Sequence, residues 1–357
     1  MRSTGLDHPN ARLGPRSSSG RKAALDLLWP IHLKPQPDEL MTSWFVRLAH
    51  AHDLKLHTLG LLLYGAEVQL WSRDLDALAP DWLLAGLSAH TGLSDVAVRA
   101  TTLKPYAGRL FPVTHNGPIA PWILPLRMAK ERRQGHGVQF CPKCLSEDSV
   151  PYFRRRWRLA LCTYCTRHEC LLLDRCQECG SPVEYHRGDV GIETGNAFKG
   201  MTTCCSCGAD LRQALVRPPS FYAPDASELS SSVVLRLEGR GARCRPRSAG
   251  YFSVLHQLCR LMMSRYRNVR LGDFAAERLG VHGSPKLAPV RLFELLDVAD
   301  RHHLLQLAFW VMSDLRTRLR DARLDGAITY SGLLRDFSEA PRWYRNAVVG
   351  LRRTWVA

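Results

Sequence analysis

Apolar residues recur at helical spacing in the first third and the last third of the chain, and the middle breaks that pattern. After Pro37, the residues Leu40, Met41, Trp44, Phe45, Leu48 and Ala49 form a stripe that predicts a helix capped by Asp38, with Thr42, Arg47 and His50 on its solvent side. Such a stripe marks a core-facing helix rather than a cofactor box. A second helix is predicted near Thr58 to Tyr64, ending at Gly65, and a third starts at Pro80 or Asp81 and carries Trp82, Leu83, Leu84 and Leu87. Gly92 then offers a turn with positive φ, and Ser94 offers a cap for a helix running from Val96 to Leu103. That succession is helix-turn-helix chemistry. Its second helix would be the one to enter a major groove, where only Arg99, Thr101, Thr102 and Lys104 give polar reach; packing or docking on protein is the alternative use.

Residues 105–139 hold five prolines and four glycines and read as an irregular connection, with a basic helical stretch expected at Arg127 to Arg133. Past residue 215 the composition turns to Pro, Ser, Gly and Arg, which predicts a linker over 216–250 with a strand candidate at Val233 to Leu237. Helical spacing returns in Tyr251 to Arg267, Val290 to Ala299, His302 to Ala322, Tyr330 to Phe337 and Arg342 to Leu351, the last two flanking Pro341. The adjacent His302 and His303 point to different faces of a helix and do not suit one metal. Cys244 and Cys259 read as free thiols. The expected organisation is a disordered basic tail over 1–24, an N-terminal helical domain over 25–135, a cysteine-rich region over 136–215, the linker, and a C-terminal helical domain over 251–357.

The cysteine-rich region carries the chemistry. Cys141-x2-Cys144, twenty residues, then Cys165-x2-His168 make one set of four; Cys176-x2-Cys179, twenty-four residues, then Cys204-x2-Cys207 make a second. Two residues between ligands let one tight turn aim both donors at the same ion, so each set can close a tetrahedron around Zn(2+), giving two structural zinc ions per chain. Gly180 and Gly208 follow the second ligand of their pairs, as such turns favour. Cys162, Cys170 and Cys205 stand close enough in sequence to substitute for a ligand. Cys165 with His168 is preferred over Cys162 with Cys165, because the latter strands the histidine. Both sets supply four donors, mostly thiolate, whereas a catalytic zinc keeps an open position. His168-Glu169 lacks the second histidine of an H-E-x-x-H helix.

Charge and missing motifs narrow the function. Lys plus Arg outnumber Asp plus Glu by 49 to 33, a formal charge of +16 that favours a polyanionic partner, most simply nucleic acid. Nine basic residues face three acids between positions 127 and 158, and Arg154, Arg155, Arg156 and Arg158 are candidates either for a phosphate-facing surface or for a solvated face around a core Trp157. Cysteines at metal spacing point to a reducing compartment. No segment reaches the ~18 apolar residues of a membrane span, and Trp29-Pro30 interrupts the short run that might pass for a signal, so a cytoplasmic protein is expected. Neither a G-x4-G-K-[ST] loop nor a G-x-S-x-G elbow occurs, and no enzyme is expected.

The run Cys141-Pro-Lys-Cys-Leu145, Pro151-Tyr152-Phe153, Trp157-Arg158-Leu159, Cys165-x2-His168, Leu171-Leu172-Leu173 and Cys176-x2-Cys179-Gly180 resembles the TniQ family, which includes the TnsD target selectors of bacterial DNA transposons. Further similarity lies at Glu39-Leu40-x3-Trp44-x2-Arg47-Leu48, Ala327-Ile-Thr-Tyr330-x3-Leu334 and Pro341-x-Trp343-Tyr344. The resemblance implies a mainly α, multi-domain, zinc-stapled adaptor of DNA transposition, cytoplasmic and nucleoid-associated. Such a protein would engage target DNA or a DNA-bound targeting complex, such as an RNA-guided effector, and recruit the AAA+ ATPase regulator of the transposase; a homodimer fits the same role. The alternatives from other classes are a stand-alone zinc-containing sequence-specific DNA-binding regulator and a metal-dependent nucleic-acid enzyme.

Overall fold

The computed structural model describes residues 28–65, 70–72, 74–111, 113, 120–126, 137–187, 200–237, 249–264, 266, 269–283 and 292–351. The expected disordered tail, the helix at Arg127 to Arg133 and Cys244 lie outside them. The chain is mainly α: the only strands among the described residues are two short ones in the cysteine-rich region.

In the N-terminal portion α1 (Met41–Ala51), α2 (Leu56–Tyr64), α3 (Leu75–Leu78), α4 (Asp81–Thr91) and α5 (Asp95–Arg99) follow one another. The stripe of α1 is buried as its spacing demands, but the solvent side assigned to it is wrong for two residues: Thr42 and Arg47 are buried too. The Thr42 hydroxyl and the Arg47 charge find partners inside, while Arg47 Nε is left without one. The Thr42 hydroxyl donates to Asp76 at 2.8 Å and Arg47 pairs with Glu39 at 2.6 Å, so burial costs no orphaned charge. Nor does Asp38 cap this helix. Leu40 occupies the cap position without a side-chain bond, and Asp38 sits at φ 61° with its carboxylate turned toward Arg155 and Arg156. Gly65 (φ 80°) ends α2 and Gly92 (φ 67°) ends α4, and the Ser94 hydroxyl accepts from the Ala97 N–H to cap α5. However, α5 stops at Arg99 instead of reaching Leu103. The Thr101 and Thr102 hydroxyls turn back to the carbonyls of Val98 and Arg99, both at 2.7 Å, and both residues are buried.

The middle portion opens with α6 (Pro142–Glu147) and contains β1 (Tyr164–Cys165) and β2 (Cys170–Leu171), paired antiparallel with Cys165 opposite Cys170. After it come α7 (Pro224–Leu237), α8 (Ala249–Met262), α9 (Leu271–Leu279), α10 (Val298–Ser313), α11 (Leu315–Leu324), α12 (Tyr330–Leu333) and α13 (Arg342–Gly350). The segment expected to be a linker therefore holds a helix, and the strand candidate Val233 to Leu237 is its last turns. Ala226, Val233, Val234 and Leu237 are buried, and α7 packs on α10. Composition misled here because three serines in a row dilute a helical stripe without breaking it. Of the expected helix at Val290 to Ala299, residues 290 and 291 lie outside the described residues and the rest is a 3-10 turn, Phe293–Leu295, followed by the start of α10, whose cap is the Asp297 carboxylate accepting from Asp300 N–H at 2.9 Å. The long helix expected to Ala322 divides at Asp314.

α10 is the hub of this half, touching α7, α8, α9 and α11. It also ties that half to the middle. Arg301, fully buried, donates to the carbonyls of Leu296 (3.0 Å) and Ala160 (2.9 Å) and to Gln139 Oε1 (3.2 Å). His302 and His303 do face different ways: His302 lies between Thr163 (2.8 Å) and the Ser220 carbonyl (2.9 Å), while His303 meets the Tyr222 hydroxyl at 2.6 Å. Buried apolar residues from all three portions form one continuous core.

Candidate metal centres

Two groups of donor atoms come together in the middle portion. The donors of Cys141, Cys144, Cys165 and His168 all lie within 4.8 Å of one another, and so do those of Cys176, Cys179, Cys204 and Cys207.

The second group is built from two knuckles with the same backbone bonds. Cys176 N–H donates to the Ser181 carbonyl (2.9 Å) and Gly180 N–H to the Cys176 carbonyl (2.9 Å); Cys204 N–H donates to the Ala209 carbonyl (2.8 Å) and Gly208 N–H to the Cys204 carbonyl (2.9 Å). Gly180 and Gly208 sit at φ 70° and 77°, where a Cβ would strain the turn, which explains the Cys-Gly pairs of the sequence. The Cys176–Cys207 and Cys179–Cys204 sulfurs are 3.7 Å apart. Burial raises the Cys179 thiol, but the Ser181 hydroxyl and N–H, with the neighbouring sulfurs, pull it down to about 7. A thiolate is the form a metal requires.

The first group joins α6 to the β1–β2 hairpin. Cys141 and Cys144 flank the first turn of α6, where Pro142 at the first helical position gives up no needed N–H. Cys165 ends β1, and His168 follows in the turn whose residue Glu169 takes φ 48°, the place a glycine holds in the second group's knuckles. The Cys144–Cys165 sulfurs are 3.7 Å apart, and His168 Nδ1 is 3.3 Å from Cys141, 3.3 Å from Cys144 and 3.5 Å from Cys165. The other ring nitrogen, Nε2, meets Glu147 Oε2 at 2.9 Å. That contact fixes the proton on Nε2 and leaves the Nδ1 lone pair facing the sulfurs, the arrangement by which carboxylates orient metal-bound imidazoles. Glu147 belongs to this cluster although sequence spacing did not single it out, because its partner lies twenty-one positions away.

Whether zinc fits can be judged from the edges. Sulfurs about 2.3 Å from a tetrahedral ion stand about 3.8 Å apart, and a nitrogen at about 2.0–2.1 Å stands about 3.6 Å from them. The observed 3.7 Å between sulfurs and 3.3–3.5 Å from nitrogen to sulfur match. Thiolate-rich sets of four suit zinc chemically and leave no position for water. Cys162 is buried and Cys205 exposed, and neither belongs to the two groups; Cys259 is a buried free thiol.

The arginine candidates for phosphate contact are used internally. Arg154, 4% exposed, makes two 2.9 Å bonds to Asp148 at the end of α6 and lies over the rings of Tyr152 and Trp157. Arg158 is fully buried, 2.5 Å from Asp74, 3.3 Å from Asp76 and 2.9 Å from the Leu124 carbonyl. Arg155 and Arg156 both reach Asp38, at 3.1 and 3.4 Å. Neither Arg154 nor Arg158 presents a phosphate-facing surface; the run sews the metal region to the N-terminal helices. Burial pushes the Asp76 carboxyl up to about 7 against the pull of Arg158, with Asp74 raising it further. Arg99 and Lys104 are more exposed, and both pair with the open Asp81 carboxylate, at 2.9 and 3.4 Å. They link the end of α5 back to α4.

No helix among the described residues is long and apolar enough to cross a membrane. A search of curated proteins returns no match. One protein-family model, TniQ, matches residues 30–172, the segment from the N-terminal helices through the first metal group.

Proposed function

We propose, from the premise that residues 30–172 belong to the TniQ family, that this chain is a non-catalytic adaptor of DNA transposition. It engages target DNA or a DNA-bound targeting complex and recruits an AAA+ ATPase regulator, which in turn engages the transposase. The observation that carries this reading is the family match itself, which covers the N-terminal helices and the complete first donor set. The donor chemistry is in keeping with it. When bound, zinc would supply a structural cross-link between segments with little core of their own, and two four-donor sets offer no open position for Lewis-acid chemistry. Around them, Arg155, Arg156 and Arg158 hold the N-terminal portion, Arg154 braces the middle through Asp148, and Arg301 holds the C-terminal helices, so partner surfaces at the two ends keep fixed relative positions.

DNA binding by the isolated protein is expected to be weak, about micromolar, and to fall steeply with salt as counterions are released. An adaptor gains occupancy from simultaneous contacts, so adding the cognate ATPase with its nucleotide gives a joint complex on DNA that neither forms as well alone. The deciding assay is transposition with every other component present. Omitting this protein abolishes insertion at the selected target while the transposase still cuts transposon ends under permissive conditions. Nanomolar, site-specific binding by the lone protein, together with normal targeting in its absence, would refute the adaptor and leave the stand-alone regulator. The five-residue α5 with its inward-turned threonines gives that second reading no support.

A further inference from the structure

The first metal group has a fifth donor beside it. Cys170 Sγ lies 3.7 Å from Cys141 Sγ, the same separation found between Cys144 and Cys165 and between the sulfur pairs of the second group. That matches the length of one edge of a tetrahedral zinc site, made here with one sulfur of the group; Cys170 stands outside the set of donors that all lie within 4.8 Å of one another. The placement follows from the β1–β2 register. Residues directly opposite in an antiparallel pair project to the same face, and Cys170 is opposite Cys165, so the ladder puts both thiols on one side of the hairpin. Cys170 is 2% exposed.

The weakest of the four first-group donors is His168. It is the one neutral ligand, it sits in the turn between β1 and β2 beside Glu169 at φ 48°, and the Glu147 carboxylate that orients it is 47% exposed. A left-handed non-glycine residue stores strain that an outward movement of the turn releases. Such a movement takes the imidazole away and leaves the three thiolates in place.

We propose that Cys170 is a reserve ligand of the first metal site, taking the fourth position when His168 leaves it. The proposal rests on both donor groups holding metal. In the exchange the neutral imidazole departs, the Cys170 S–H bond breaks, a sulfur–metal bond forms and one proton goes to solvent. The site becomes a four-thiolate set like the second, with one more negative charge.

The test uses the full chain loaded with zinc or cobalt(II), with metal per folded chain and the thiolate-to-cobalt absorption as readouts. The unaltered protein holds two ions. Cys170→Ser also holds two, since Cys170 is not the resting ligand. His168→Ala still holds two, and its charge-transfer absorption rises by about one part in seven as a thiolate replaces the imidazole. The double variant holds one. A folded His168→Ala protein with one ion overturns the proposal, as does a Cys170→Ser protein with one. If His168→Ala does not fold, Glu147→Ala loosens the imidazole without removing it. Its cobalt spectrum should gain four-thiolate character, and lose that gain when Cys170→Ser is added; an unchanged spectrum overturns the proposal. An unaltered protein that binds no metal instead removes the premise, a result separate from failure of the exchange.

Discussion

Replacing Arg158 by Ala tests whether the arginine run is structural. The side chain is fully buried, and its removal leaves Asp76 and the partly buried Asp74 facing each other without their shared cation. Breaking one partner out of a buried ion pair costs about 3–5 kcal/mol, against less than about 1 kcal/mol for a solvated surface arginine. The pH dependence sharpens the distinction. Asp76 has its folded-state pKa raised to about 7 from 3.8, so the folded protein holds this proton more tightly than the unfolded chain. Its contribution to stability is present in full below about pH 4 and is lost as pH rises toward 7. Arg158 pulls that pKa down, so removing it extends the loss to higher pH. The cost of Arg158→Ala should therefore grow between pH 5 and 8, at most by about 1.4 kcal/mol per pH unit for one group. Urea denaturation followed by tryptophan fluorescence, at constant saturating zinc, measures it at both ends of that range. Adding Asp76→Asn should remove most of the pH dependence. A loss under about 1 kcal/mol that does not change with pH, accompanied by a smaller salt slope for DNA binding, would refute the internal role and return Arg158 to the phosphate-facing surface.

Two further outcomes follow from the sites. Elemental analysis should find two zinc ions per chain; Cys176→Ser should lose one along with the fold around it, because structural zinc contributes on the order of 10 kcal/mol to such sites, while Cys162→Ser should lose none. Replacing Arg99 and Lys104 together by Ala removes two exposed, solvent-screened pairs to Asp81, so the melting temperature should barely move; if DNA affinity and its salt slope are also unchanged, the end of α5 is not a DNA contact.

The two donor groups were legible in the sequence because their geometry is local. Cys176, Cys179 and Gly180 specify one knuckle within five residues, and Cys204, Cys207 and Gly208 repeat it, so spacing alone carries most of the information. The helix ends at Gly65, Gly92 and Ser94 were legible for the same reason. What sequence pattern could not supply was the destination of each charge. Arg47 sits at a position that periodicity assigns to water, yet it is buried, with its charge paired to Glu39. Arg158 and Asp76 are eighty-two residues apart, and no periodic rule pairs them. Cys170 was visible only as a neighbour in sequence; the strand register that turns its sulfur toward Cys141 is a property of the folded hairpin.

These long-range pairs bear on why a chain with two metal sites also buries so many charges. A zinc site fixes the segments that ligate it and nothing beyond them, and here each set is confined to the middle portion. Transmitting that order to α1 requires contacts that break if the relative orientation changes. Apolar packing tolerates small slips, because hydrophobic contacts lack direction. A charged hydrogen bond does not: Arg154 Nη2 donates to both oxygens of Asp148 at the end of the donor-bearing α6, while its backbone bridges to Glu39 and its neighbour Arg155 pairs with Asp38, both at the entry of α1. Loss of one metal ion should then be felt at α1, through Asp148 and Arg154, before it is felt by the core of α10. Hydrogen exchange on the Cys141→Ser protein would show this as early exposure of Met41 to Ala51 with Val298 to Ser313 still protected, and equal exposure of both helices would mean that the ion pairs do not carry the order imposed by the metal.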